Sequence, residues 1–279
     1  MFEIIEKKFL NPTVVKMTVN APLVAKKIKP GQFIILVAHE KGERVPFTVA
    51  DFDREKGHVT VIYQIVGATT MLLSEMNEGD CLSDFAGPLG NPTKLEGVKR
   101  AVVIGGGLGC AIAYPQAKAL SNNGCEVDII AGFKNRDLVI LEEEMKAVSN
   151  NLYITTDDGS YGEKGLVTDK LRLLASKKKY DLVIAIGPVI MMKFCEMAAR
   201  EFDLPIIVSL NPIMIDGTGM CGGCRVRVGG EVKFACVDGP DFDGHLVDFD
   251  SLMKRNRSYA EEEQKGVAKH KCRIGRTEP

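Results

Sequence analysis

The chain has 279 residues, 45% apolar and 26% charged, with 36 Lys and Arg against 37 Asp and Glu. That balance suits a folded chain of about two domains. It excludes whole-chain disorder, a collagen-like repeat, and nucleic-acid or lipid binding driven by net charge. No run approaches the ~18 apolar residues of a membrane span. The start, Met1-Phe-Glu-Ile-Ile-Glu, interleaves acids with apolar residues and reads as a strand, not a signal peptide.

Residues 1–97 predict short strands at 4–10, 14–19, 32–37, 46–50 and 58–66. Turn signals such as Asn11-Pro12, Lys29-Pro30-Gly31 and Lys56-Gly57 separate them, and one short helix is expected at 69–76. This is the pattern of a β-barrel or sandwich. From residue 98 the character changes. Compact Val- and Ile-rich runs at 101–104, 127–131, 182–186 and 206–210 suit strands buried on both faces of a parallel sheet. Helical stretches at 108–122, 142–148, 167–176 and 189–200 alternate with them, so 98–212 predicts a doubly wound α/β domain. Residues 213–250 are rich in Gly and Cys. A helix is expected at 249–265, within a final segment 251–279 whose end is basic and polar.

Gly105-Gly106-Gly107-Leu108-Gly109-Cys110 follows a buried strand and opens a helix. Such a loop brings backbone N–H groups close to a pyrophosphate. Cys110 stands where the third Gly of the fingerprint falls, which leaves a plain tight turn as the other reading. Asp157-Asp158-Gly159 and Gly187-Pro188-Val-Ile-Met191 lie at two further strand ends, so the three loops predict one shared nucleotide site. Lys134 and Arg136 would attract a 2′-phosphate and favour NADP, or be solvated.

Arg44-Val-Pro46-Phe47-Thr48 precedes Ile62-Tyr63-Gln64-Ile-Val-Gly67-Ala-Thr69-Thr70. In this order an Arg and a Gly/Thr turn can hold phosphates, Thr48 can hydrogen-bond a ring nitrogen, and Phe47 or Tyr63 can stack. The helix after Thr69 adds a positive N-terminal dipole. Asp216-x4-Cys221-x2-Cys224-x11-Cys236 matches the plant-type [2Fe–2S] spacing with Asp in the first position. The intervening run alternates about Gly229-Gly230, so a hairpin brings Cys224 and Cys236 together. Structural zinc is the competing reading, and Cys272 is the competing fourth ligand, softer but tied to the loop by no spacing. The histidines, at 39, 58, 245 and 270, make no hydrolytic set.

With these motifs in this order, residues 1–210 resemble the ferredoxin–NADP reductase superfamily, an FAD barrel joined to a pyridine-nucleotide domain. With the cysteine segment added, the whole chain resembles the electron-transfer subunits of dihydroorotate dehydrogenase. Asp216, the phrase Thr156-Asp-Asp-Gly-Ser-Tyr-Gly-Glu-Lys-Gly-Leu-Val-Thr-Asp169 and the long tail 251–279 look more like the small subunit of NADH-dependent reduced ferredoxin:NADP⁺ oxidoreductases, relatives of which are described as sulfide dehydrogenases.

The resemblance implies a cytoplasmic oxidoreductase subunit using FAD, NAD(H) and a [2Fe–2S] cluster for electron bifurcation. It implies a heterodimer with a larger flavin and [4Fe–4S] subunit that binds NADP(H) and serves ferredoxin. No nucleic acid or membrane is implied. FAD contacts are implied at Pro46, Phe47, Thr48, Ile62, Tyr63, Gln64, Gly67, Thr69 and Thr70, with hydride transfer near Thr48. Arg44 sits one residue further from the Pro than in the family's common form. A zinc-stapled nucleotide-binding regulator without redox activity is the reading from another class.

Overall fold

The structure, a computed structural model, describes residues 2–273, with side chains described through 268. Strands β1 (Phe2–Asn11) and β2 (Val14–Asn20) pair antiparallel, and a short helix, α1 (Pro22–Ala25), follows. β3 (Phe33–Val37), β4 (Val45–Asp53) and β5 (His58–Gln64) continue the sheet, then comes α2 (Ala68–Glu75). β6 (Cys81–Leu82) and β7 (Asp84–Leu89), not predicted, complete a seven-stranded antiparallel sheet in the order β6-β1-β2-β5-β4-β3-β7. The sheet curls into a nearly closed barrel around Val15, Met17, Ile34, Leu36, Val61 and Phe85, all at most 2% exposed.

The α/β part begins with β8 (Arg100–Gly106), α3 (Gly109–Asn122) and β9 (Glu126–Phe133), then α4 (Glu142–Ala147) and β10 (Asn151–Thr156). β11 (Glu163–Lys164), α5 (Val167–Ala175), β12 (Leu182–Ile186), α6 (Val189–Arg200) and β13 (Ile206–Ser209) follow. As the apolar runs predict, β8, β9, β12 and β13 are parallel and almost wholly buried, and β10 is parallel with its carboxyl half buried. The hairpin β14 (Arg225–Val228) and β15 (Glu231–Phe234) turns at Gly229 and Gly230, both at positive φ, with Val228 facing Glu231.

Within segment 213–250, β16 (Asp241–Asp243) pairs antiparallel with β13 and closes that edge of the nucleotide sheet. One expectation changes. The helix expected at 249–265 is two helices, α7 (Phe249–Asn256) and α8 (Ala260–Arg273), parted by a turn in which Ser258 N–H donates to Arg255 O. The polar end is thus helical to Arg273.

The barrel meets the α/β part along α3. Val14, Ala50 and Ile62 on the outer barrel face share a core with Cys110, Ala113 and Ala117. Lys118 Nζ reaches Asp51 Oδ1 at 2.8 Å, both about 40% exposed. An exposed pair of this kind contributes about 0–1 kcal/mol, so apolar packing holds the joint. Beside it lies a polar junction. Thr93 Oγ1 donates to Asp241 Oδ2 at 2.5 Å and Gln116 Nε2 donates to the same oxygen at 3.2 Å. Asp241 Oδ1 and Gln116 Oε1 are enclosed without partners.

Burial raises the Asp241 carboxyl to about 6. The folded chain therefore holds this proton more tightly than the unfolded chain. The stabilising contribution is complete below an ordinary carboxylate pKa and is lost as pH rises through 6, on the order of 3 kcal/mol. Asp241→Asn keeps the acceptor without the charge. Thermal melts should show the variant more stable than the wild type at pH 8, with the difference shrinking toward pH 4.

Candidate functional site

The carboxyl ends of β8, β9, β10 and β12 are neighbours: Gly106 faces Gly132, Thr156 faces Phe133 and Ile186 faces Gly105. The three predicted loops therefore share one sheet edge. Gly107 N–H donates to Gly132 O at 2.8 Å, which ties the glycine loop to the neighbouring strand. An added Cβ on Gly109 would sit 2.2 Å from Ile186 O, a backbone atom that cannot move aside. Met191 Sδ lies where a Gly106 Cβ would go, and the Met191 methyl crowds Gly187, so this side chain spans two of the loops.

The Cys110 side chain is 0% exposed inside the α3 packing, and burial pushes the thiol up to about 12. The thiol packs beneath Gly105.

At the β10 end, Asp157 and Asp158 are exposed. Asp158 Oδ1 accepts from Ser160 Oγ at 2.6 Å and Ser160 N at 2.9 Å, and the Ser160 hydroxyl is the main cause holding this carboxyl below its usual range. The Arg136 guanidinium lies over the Tyr161 ring at 5.4 Å, and the Arg136 backbone N–H donates to Ser160 Oγ. Arg136 and Lys134 both stand exposed.

The flavin motif occupies β4, β5 and the start of α2. Side chains alternate between strand faces. Phe47 and Tyr63 point into the barrel core, their rings 5.5 Å apart and tilted by 49°. This corrects the stacking expectation, since neither ring is open to a flavin. The Tyr63 hydroxyl is enclosed with no hydrogen-bond partner, and burial raises its pKa. Thr48, between Phe47 and Val49, takes the opposite face, the one on which Ala50 meets α3.

Ile62 packs on that same side, while Gln64 and Val66 are exposed. Thr70 Oγ1 accepts from Val66 N and Gly67 N at 3.0 and 2.9 Å, and fixes the turn into α2. Thr69 Oγ1 donates to Glu43. Nothing lies within 4 Å of a Cβ on Gly67, whose φ is an ordinary −136°. The protein itself leaves this turn bare, which fits a group lying against it.

The cysteine loop groups its four residues in two pairs. Cys224 and Cys236 Sγ are 3.2 Å apart, both buried, as the hairpin predicts. Asp216 Oδ2 accepts from Cys221 N at 2.7 Å and Oδ1 from Thr218 N at 2.8 Å. The Thr218 N–H chiefly lowers the Asp216 carboxyl's pKa. Burial and the Cys224 neighbour raise the Cys236 thiol to about 12. Loading iron here therefore releases protons.

Among the described residues no three Cys, His, Asp or Glu converge as around one ion. A zinc site needs its donors around one point. A two-iron cluster takes ligands two per iron, some centres carrying a different pair on one iron. The two-and-two grouping fits the latter. The loop also leans on the barrel: a Cβ on Gly217, at φ +74°, would meet Leu89 and Ile35 at 2.9 and 3.0 Å.

Arg44 reaches across to the cysteine loop. Its Nε and Nη2 lie 3.3 and 3.4 Å from Ile215 O and Asp216 O. Arg255 of α7 donates to Gly223 O at 3.1 Å. No motif pointed to Arg255, whose contact spans 32 residues. The Cys272 side chain lies outside the described residues.

Residues 211–248 match the model of the iron-sulfur cluster binding domain of dihydroorotate dehydrogenase B. A Thermotoga maritima protein described as a dihydroorotate dehydrogenase B (NAD⁺) electron transfer subunit homolog is 48% identical over 262 residues, 94% of this chain and 93% of that one. The chain belongs to the dihydroorotate dehydrogenase B electron-transfer subunit family. Within it, the Bacillus caldolyticus electron transfer subunit is 34% identical over 81% of this chain and 90% of its own. A chain from the solved NADH-dependent reduced ferredoxin-NADP oxidoreductase, studied for flavin-based electron bifurcation, superposes with TM-score 0.92 at 47% identity. That match covers 96% of this chain and 97% of that one. The electron-transfer subunit thus shares its full architecture, barrel to cluster segment, with a bifurcating flavoprotein.

Overpacking a rigid site costs about 1–3 kcal/mol, and each kcal/mol is worth about 2–4 °C in a domain of 150–250 residues. Gly109→Ala should therefore lower the melting temperature by several degrees. Gly266→Ala, with nothing within 4 Å of its added Cβ, should leave it unchanged or higher.

Proposed function

We propose that this chain is the small subunit of an electron-bifurcating NADH-dependent reduced ferredoxin:NADP⁺ oxidoreductase. It passes electrons between NAD(H), FAD and a [2Fe–2S] cluster and a larger partner subunit. The observation that carries this reading is the whole-length match at 47% identity and TM-score 0.92. When bound, FAD supplies the exchange between the two-electron chemistry of NAD(H) and the one-electron chemistry of the cluster.

The chain's residues hold and orient these groups. Gly105, Gly106, Gly107 and Gly109 bring backbone to the dinucleotide phosphates. Gly187, Pro188 and Met191 flank them, and Asp157, Asp158 and Gly159 close the β10 side. Exposed acids there disfavour a third phosphate and support NAD(H), and Arg136 is drawn away over Tyr161. Pro46, Thr48 and Ile62 present the barrel face to the flavin, with Thr48 donating to a ring nitrogen. Gln64, Gly67, Thr69 and Thr70 form the turn beneath its phosphates. Phe47 and Tyr63 support that surface from inside. Asp216 and Cys221 take one iron, Cys224 and Cys236 the other.

The partner is the larger subunit, with a second flavin, [4Fe–4S] clusters and the NADP(H) site, which passes electrons to ferredoxin. No helix among the described residues is long and apolar enough to cross a membrane, and we place the complex in the cytoplasm. A second reading, a subunit whose partner oxidises dihydroorotate, is favoured by the name of the 34% identical relative. The full-length structural match to the bifurcating protein and the carboxylate at 216 speak for the first.

Capture of the complex from native cells under anaerobic conditions tests this. A large two-flavin, [4Fe–4S] partner supports the proposal, and a barrel-type dihydroorotate-oxidising partner replaces it. For the ligands, Asp216→Ala should cut bound iron and the [2Fe–2S] absorption to a small fraction, while Cys272→Ala retains both. The reverse pattern rejects Asp216.

A further inference from the structure

We infer that Arg44 and Arg255 form a two-sided clamp on the cluster loop, positioning its two ligand pairs and raising the cluster's reduction potential. This rests on the cluster assignment above. The two guanidiniums come from different parts of the molecule. Arg44 immediately precedes β4 of the barrel, and Arg255 lies on α7, beyond the hairpin. Arg44 takes the carbonyls of Ile215 and Asp216, at the entry to the first ligand pair. Arg255 takes the carbonyl of Gly223, the residue before Cys224, at the entry to the second.

Both clamps are anchored. Arg44 lies 3.7 Å from Asp84 at the start of β7, the strand whose Leu89 supports Gly217. α7 is fixed by Phe249 and Leu252, 5% and 1% exposed, by Asp248 accepting from Ser251 N–H, and by Lys193 Nζ at 2.7 Å from Asp250. Arg44 is held through two nitrogens of its planar fork and Arg255 through one, and a guanidinium so held keeps its charge in place, as a Lys ammonium does not. Cluster potentials follow local net charge and hydrogen bonding, and a fixed positive charge favours the reduced, more negative state. Arg44–Asp84 is half exposed and screened, so Asp84 offsets only part of this.

The rival role for Arg44 is contact with flavin phosphate, and the two roles separate cleanly. The experiment uses the full chain in complex with its partner, prepared anaerobically. Iron and flavin per chain are measured, with a redox titration of the [2Fe–2S] signal by electron paramagnetic resonance. Arg44→Gln and Arg255→Gln should each keep flavin. At the wild-type midpoint potential, the reduced:oxidised ratio of the cluster should fall about 3- to 10-fold, a tenfold change being about 59 mV for one electron.

Arg44→Lys and Arg255→Lys keep the charge without the fork. They should hold the midpoint near wild type while broadening the signal, and they serve if the Gln variants do not fold. An unchanged midpoint and line shape in iron-loaded variants overturns the clamp. So does loss of flavin from Arg44→Gln with the cluster unaltered. Iron-free wild-type complex would instead remove the cluster assignment itself, a separate result.

Discussion

The meeting of Thr93, Gln116 and Asp241 is the contact on which the arrangement of the three sites depends. Thr93 belongs to the link out of the barrel, Gln116 to the helix that opens at the nucleotide loop, and Asp241 to the strand that returns from the cysteine hairpin. Enclosing a carboxylate is costly, and apolar residues in its place would pack more cheaply. Apolar packing, however, tolerates sliding. Two donors aimed at one oxygen fix where barrel, helix and cluster segment stand relative to one another. Electron transfer between bound groups is sensitive to such spacing, so a stability cost at this point has a functional return.

The same logic shapes the barrel. Strand alternation divides β4 and β5 into an inner set, Phe47, Val49, Val61 and Tyr63, and an outer set that includes Thr48, Ala50 and Ile62. The inner set makes the barrel rigid, and the outer set makes the surface that faces the nucleotide domain. Alternation was legible in the amino-acid sequence, but which set faces inward was not. Period two assigns residues to two faces without saying which face is core. For that reason the aromatic rings of Phe47 and Tyr63 read as stacking candidates. The order of motifs was more informative than any single motif, because it is shared by the whole chain.

The cysteine segment was legible for a mechanical reason: a Gly-Gly turn with alternating flanks must bring its ends together, and it does so to 3.2 Å. What escaped the sequence were short or distant contacts. β6 has two residues and β16 three, too few for a periodic signal. Arg255 reaches Gly223 across 32 positions, and the Asp241 junction joins residues up to 148 positions apart. Local pattern carries no information about such pairs. The break between α7 and α8 was missed because neither Gly nor Pro marks it.

The antiparallel seam between β13 and β16 has a further meaning. Without it, the last parallel strand would present a row of unsatisfied backbone groups to solvent, an invitation to stray pairing with other chains. The iron-binding appendage therefore doubles as a seal for the dinucleotide sheet. A chain without the appendage would need another cover for that border.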